Sequence, residues 1–285
     1  MPRCVRFLSL QKALLTLIAC IPLLGIASFE ALFAPKAQAW PRWEAHVPGS
    51  EVRVDHGPWD RVLQRYLQVG EDGIHRFDYA GLKRIGLQDL EAYLEQLGAT
   101  PVSELDRDHQ LAFWINLYNA LTVHTVAQAY PVQSIRDIDI SPGFLADGPW
   151  GKELTSVEGE PLTLNDIEHR IIRPLWGDPR IHYALNCASI GCPNLERRGF
   201  RAVDLDAMLD AAARNFVNSP RGVWWEGDEL AVSSIYAWFQ ADFGGDDAGI
   251  LAHLSLYAEP ELATRLAGVQ RIGHHDYDWG LNDLR

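Results

Sequence analysis

The sequence predicts an α+β fold: one mainly helical domain with a small sheet, built on a buried central helix over about residues 104–130. Three observations predict it. Long stretches place Leu, Tyr and Trp at spacings of three and four, the period of a helix with one apolar face. One stretch, HQLAFWINLYNALTVHTVAQ, is apolar nearly all round, which marks a helix covered on most sides. Short β-prone runs bounded by Gly and Pro stand between the helical stretches and supply the strands.

The chain opens on a segment with the layout of an export leader. Arg3, Arg6 and Lys12 precede an apolar run from Ala13 to about Phe33, and Ala37-Gln38-Ala39 offers small residues where a signal peptidase needs them. Residues 1–39 are therefore expected to be a signal peptide, with the single domain over 40–285 and a periplasmic or cell-envelope location. Two alternatives stay open: an uncleaved membrane anchor, since about 20 apolar residues span a bilayer, and a lipoprotein box at Leu17-Ile18-Ala19-Cys20.

Helix is expected from Pro58 to Gly98, where WDRVLQRYLQV and LQDLEAYLEQLG carry the three–four spacing. Ser103 and Asp106 have the spacing of a capping box for the central helix, which Pro131 ends. SIRDIDI and KELTSV read as strands. Thr163 and Asp166 cap a short helix, LNDIEHRII, that stops at Pro174. HYALNC reads as a strand. A helix over about Asp204 to Asn218, a hairpin in GVWWEGDELAVS, a helix opened by Ser233 or Ser234 and further helix over 248–267 complete the chain. No repeat and no low-complexity tract interrupts it, and the length suffices for a sizeable core.

The formal charge is −13, and loss of the leader would make the chain more acidic still. Such a surface repels phosphate backbones and anionic lipid headgroups. Nucleic acid is thus not an expected partner, and a membrane is expected only through an uncleaved leader. Cys4 and Cys20 lie in the leader, so Cys187 and Cys192 are the cysteines of the domain.

These two sit in HYALNCASIGCP, residues 182–193. A sulfur at Cys187 attacks a carbonyl only as the thiolate, so it needs a base or a positive field. His182 alternates to the opposite face of the expected strand and is a poor base for it. On the helix before it, Glu168 falls in the middle of the apolar face and His169 at its edge. A buried carboxylate must be paired or protonated; Arg170, Arg173 and Arg180 are candidate partners. Asn116 and Asn119 share one face of the central helix and need hydrogen-bond partners there, with His124 at the edge of the same helix.

Two functions follow, with a metal-dependent hydrolase as a third alternative. In the first, a cysteine-dependent acyl-transfer hydrolase, Cys187 is the nucleophile, His169 the base, and Glu168 or Asn116 orients it; amides near Ala188 and Ser189 hold an oxyanion. Asn119, Ser189 and His182 would bind an amide, peptide or thioester substrate. A small molecule or peptide is the expected substrate there; in the second, a non-catalytic envelope module binds a partner or a glycan and Cys187–Cys192 is a disulfide clip. Each single residue also has a plain structural reading: paired Glu168, bracketing asparagines, and the ten tryptophans mostly core. No cofactor and no metal is expected, because neither C-x-x-C nor H-E-x-x-H spacing occurs.

In that order and at similar intervals, FWINLYNALTVH, LTLNDIEHRIIR, IHYALNCASIGCPNL, SSIYAWFQADF and YDWGLN resemble the domain-of-unknown-function family number 547, over about residues 59–282. The resemblance implies one such domain in a bacterial exported protein. Relatives with the N-C-A-S-x-G-C-P type of segment carry a cysteine where Cys187 stands, while some plant relatives have serine where Cys192 stands. That implies a role for Cys187 that does not depend on its neighbour.

Overall fold

A computed structural model describes residues 34–143 and 147–284. The expected leader lies outside them up to residue 33. Among the described residues no helix is long and apolar enough to cross a membrane.

Among the described residues, three α-helices and a hairpin precede the central helix. Helix α1, Gly57–Tyr66, has Pro58 in its first turn and buries Trp59, Val62, Leu63 and Tyr66, which share one face by their spacing. The chain then makes a hairpin that the helical reading of 58–98 did not foresee, β1 (Leu67–Val69) against β2 (His75–Phe77). Asp72, which accepts from the Ile74 N–H, and Gly73 in the left-handed region supply its turn. Helices α2 (Tyr79–Ile85) and α3 (Leu87–Gly98) follow.

The central helix is α4, Arg107–Ala129, buried along most of its length as its all-round apolar sequence requires. Asp106 is its N-cap and accepts from the His109 N–H at 3.0 Å. Ser103 is not part of that cap: its N–H and hydroxyl both donate to Glu158, at 2.9 and 2.6 Å. Helix α3 and the segment 166–172 pack against α4.

SIRDIDI is not a strand. Ser134 and Asp137 form a capping box around a 3-10 turn at Ile135–Asp137, and these local bonds take the backbone groups that a ladder would need. A hairpin of β3 (Thr155–Val157) and β4 (Glu160–Leu162) leads into Asp166–Ile172, which is a π-helix. Thr163 and Asp166 cap it reciprocally, as their spacing predicts. Helix α5 (Arg173–Trp176) continues it.

HYALNC is not a strand either. Ile181–Ala184 is a short helix, α6, because Asp178, Pro179 and Arg180 open a turn whose carbonyls accept from Ile181, His182 and Tyr183. Only beyond Ala184 does the chain extend. Helix α7 (Leu205–Val217) then leads to β5 (Val223–Glu226) and β6 (Glu229–Ser233). Helices α8 (Ser234–Trp238), α9 (Asp247–Tyr257) and α10 (Pro260–Leu266) follow, and β7 (His274–Asp276) returns to lie parallel to β6. The result is the expected mainly helical α+β domain with small sheets.

Among the described residues, buried side chains form two clusters. One gathers α1 to α6 and the start of α7 around the central helix; the other joins Tyr183, the rest of α7 and the C-terminal helices. The tail after β7 ties both to the cysteine loop. Asn282 N–H donates to Ala188 O at 3.0 Å, Ile190 N–H to Gly280 O at 2.7 Å, and Phe77 N–H to Asn282 O at 2.9 Å.

Candidate functional site

Chemistry-bearing side chains collect at the cysteine loop and at the buried charges of the π-helix. The loop is held from three sides. Asn119 of α4 donates through Nδ2 to Ala184 O at 2.9 Å and accepts the Asn186 N–H through Oδ1 at 2.8 Å. Asn186 in turn donates to Pro193 O and accepts the Ala188 N–H. Arg221 donates to the carbonyls of Ile190 and Cys192 and to Asn194 Oδ1. Ala188 sits in the left-handed region at φ 62°, a conformation that this bracing supports.

Cys187 and Cys192 are disulfide-bonded, with Cα atoms 6.2 Å apart. Their exposures differ: Cys187 is half-buried, whereas Cys192 is 1 % exposed. Polar hydrogens surround the inner sulfur. The Cys187 N–H donates to Cys192 Sγ at 2.9 Å, and the hydroxyls of Tyr277 and Ser189 lie 3.0 and 3.4 Å from it. Tyr277 is also 3.0 Å from Cys187 Sγ, and Ser189 3.2 Å. Burial raises the Tyr277 pKa, against the opposing pull of Ser189 and Arg221, so this hydroxyl keeps its proton and can donate it to sulfur. Trp238 and Trp279 pack on Tyr277 at 4.8 and 4.7 Å between ring centres, and Trp150 packs on Trp279.

Farther in, the π-helix turns both Glu168 and His169 into the core. The Arg173 N–H bonds to Glu168 O, five residues back, and the wider turn buries both side chains where a regular helix would leave His169 at the edge. Glu168 Oε1 lies 3.8 Å from His169 Nδ1 and 3.9 Å from His182 Nδ1. Burial pushes this carboxyl up to about 7, with Arg173 and Tyr118 pulling weakly the other way. Arg173 donates to Asp242 at 2.6 Å and to His169 Nδ1 at 3.1 Å, so His169 accepts there and is neutral. Its pKa falls well below the usual value through burial first and Arg173 second.

His182 Nε2 donates to Asp242 Oδ2 at 2.7 Å, and its ring stacks on Phe239 at 4.3 Å. Burial lowers its pKa more than Asp242 raises it. Burial alone would raise Asp242, but its bonds to His182 and Arg173 outweigh that and hold it well below the carboxylate range. The two groups of residues sense each other, because Glu168 bears electrostatically on Tyr277.

Several expectations are corrected by this geometry. Among the described residues no imidazole hydrogen-bonds to Cys187 Sγ, whose neighbours there are Ser189 and Tyr277. His169 faces Arg173 and Phe239 instead, because the π-turn directs it there. Asn116 cannot orient it, since both ends of its amide are taken by the backbone of Phe200, at 2.9 and 2.8 Å. Asn119 is likewise spent on the loop backbone. The Ala188 N–H is bonded to Asn186 and is not a free oxyanion donor. Ser189 does stand at the sulfurs, whereas His182 belongs to the inner charged group. Of the arginines named for Glu168, Arg173 is the one that acts on it; Arg170 pairs with Asp166 and Arg180 with Asp178, Asp206 and Asp210. His124 lies 3.3 Å from Glu91.

Tyr277 and Asp242 are site residues that no sequence pattern singled out. Both stand in motifs already quoted, YDWGLN and IYAWFQADF, where an acid or phenol inside an otherwise aromatic run was the available signal.

No curated protein and no solved structure matches the chain. Residues 102–217 match a family described as "Protein of unknown function, DUF547". That stretch runs from the approach to α4 through α7 and carries Asn116, Asn119, Glu168, His169, Arg173, His182, Cys187, Ser189 and Cys192, while Asp242 and Tyr277 come from outside it. Across the segment that holds both cysteines and the buried acid, the chain resembles the DUF547 family.

Proposed function

We propose that this is a cell-envelope domain whose chemistry is thiol–disulfide exchange at Cys187. One observation carries the reading: a half-buried sulfur is bonded to a buried one that alone receives the Cys187 N–H, at 2.9 Å, while the Tyr277 and Ser189 hydroxyls are shared between both sulfurs. A disulfide breaks fastest when the departing sulfur is a stabilised thiolate. An incoming thiolate from a dithiol partner would attack the accessible Cys187 Sγ, and the bond to Cys192 would break with its electron pair on Cys192. The Cys187 N–H and the hydroxyls of Tyr277 and Ser189 suit that charge. The partner's second thiol then displaces Cys187 from the mixed disulfide, so the partner leaves oxidised and the domain holds two thiols.

Trapping tests this. With Cys192→Ser, the remaining Cys187 should form a stable mixed disulfide with oxidised glutathione, read by intact mass, much faster than Cys187→Ser does through Cys192. Equal rates in the two variants would remove the reading.

A second reading is favoured by Glu168 alone. A carboxyl titrating near 7 suits proton transfer at neutral pH, so the reduced domain could act as a cysteine-dependent acyl-transfer hydrolase on amides, peptides or thioesters, with Cys187 attacking. Hydrolysis of an activated thioester by the reduced protein, abolished by Cys187→Ser, would support it. Silence in both assays would favour a binding module in which the disulfide is a clip.

A further inference from the structure

Residues 35–40 lie across the π-helix, held by backbone groups. The Gln38 N–H donates to His169 O at 2.9 Å and the Trp40 N–H to Arg170 O at 3.0 Å. Arg173 Nη1 donates to Pro35 O at 2.7 Å, and the Arg170 guanidinium lies over the Trp40 ring at 4.2 Å. The sequence explains why these carbonyls accept from outside the helix. Residue 174 would serve the His169 carbonyl in π register or the Arg170 carbonyl in α register, but it is proline and has no N–H. Buried Arg173 likewise turns one N–H outward beyond its bonds to Asp242 and His169.

The side chains of residues 35–39 are exposed, and the first buried residue of the chain as described is Trp43. The segment is therefore read through its backbone and contributes little to the core. Its two backbone donors, the N–H groups of residues 38 and 40, alternate along the segment, as they do where a peptide pairs with successive free backbone groups.

We propose that the face of the π-helix formed by His169 O and Arg173 Nη1 is a binding groove for an extended peptide. Residues 35–39 of the same chain occupy it, and release of that segment opens it. The ligand needs a carbonyl for Arg173 and, three residues on, an N–H for His169. Side-chain identity matters little, except that proline is excluded at the donor position.

The test uses the full chain and a fluorescently labelled peptide of sequence APKAQA, residues 34–39. Gln38→Pro removes the N–H of the resident segment at an exposed position. Fluorescence anisotropy should give at least tenfold tighter peptide binding to this variant than to the unaltered chain, with unchanged circular dichroism. A chain beginning at Trp40 should bind as the variant does. The peptide with proline in place of its glutamine should bind at least tenfold more weakly to both. No gain with Gln38→Pro and none in the shorter chain, or equal binding of the proline peptide, overturns the proposal.

Discussion

The Tyr277 hydroxyl stands 3.0 Å from Cys192 Sγ and at the same distance from Cys187 Sγ. It reaches them from the C-terminal tail, 85 and 90 residues along the chain. A hydrogen bond to a charged sulfur is worth about 1.5–3 kcal/mol, more than one to a neutral group. Tyr277→Phe keeps the ring packed on Trp238 and Trp279 and deletes only the hydroxyl. Reduction of the disulfide by dithiothreitol, followed by intact mass, should slow by about tenfold or more. An unchanged rate would mean that the departing sulfur does not depend on this donor.

Glu168 gives a pH dependence of definite sign. Its carboxyl titrates near 7 in the folded chain against about 4.5 as a free side chain. Between these values the folded state binds the proton and the unfolded state has lost it, so stability falls as pH rises through that window. The full effect is on the order of 3 kcal/mol, present below the window and lost above it. Arg173, Tyr118, Asp242, His169 and His182 surround the group, and an amide fits the space of the protonated acid. Glu168→Gln should therefore remove this fall. In urea unfolding at pH 5 and pH 8, the variant should gain on the parent protein at the higher pH. A constant difference between the two proteins would show that Glu168 ionises as freely as in water.

The central helix was legible in the sequence because burial on all sides writes itself as an unbroken apolar run. Its cap was legible only approximately: Ser103 and Asp106 have the right spacing, but Glu158, brought in by the β3–β4 turn, takes Ser103 away. The π-helix was not legible, since Thr163 and Asp166 cap an α-helix equally well. The displacement of His169 depends on packing against α4 and on Pro174 beyond it. The assumption of a strand at HYALNC failed for a local reason, the turn at Asp178 and Pro179. It carried with it the argument about which face His182 takes. Asp242 and Tyr277 meet His182 and Cys187 across 60 and 90 residues, contacts that no local pattern encodes.

Asn119 braces the loop instead of binding a ligand, and this has a measurable cost. Its amide serves one buried carbonyl and one buried N–H, those of Ala184 and Asn186. Asn119→Leu would leave both without partners, at about 1–3 kcal/mol each. Urea denaturation should show a loss of about 2–5 kcal/mol. A loss under 1 kcal/mol would point to a bracket that water replaces, and so to a more open loop.

Gly191 tests the grip of the tail on the cysteine loop. Its N–H donates to Asp278 O at 2.8 Å, and a Cβ placed on it would lie 2.8 Å from Asp278 N and 3.0 Å from Asp278 O. The nearest obstacle is backbone, which cannot swing aside, and the Tyr277 ring lies beside it with Cδ2 at 3.0 Å. Gly191 is not in the left-handed region, and the requirement for glycine here is one of space alone. Gly191→Ala should cost about 1–3 kcal/mol by forcing the two segments apart. Asp278 lies between Tyr277 and Trp279, so the same shift disturbs the aromatic contacts of both. The variant should lose stability in urea and alter its tryptophan emission together. A stability loss with unaltered emission would mean that the strain is relieved within the loop and that the tail holds Tyr277 in place independently of Gly191.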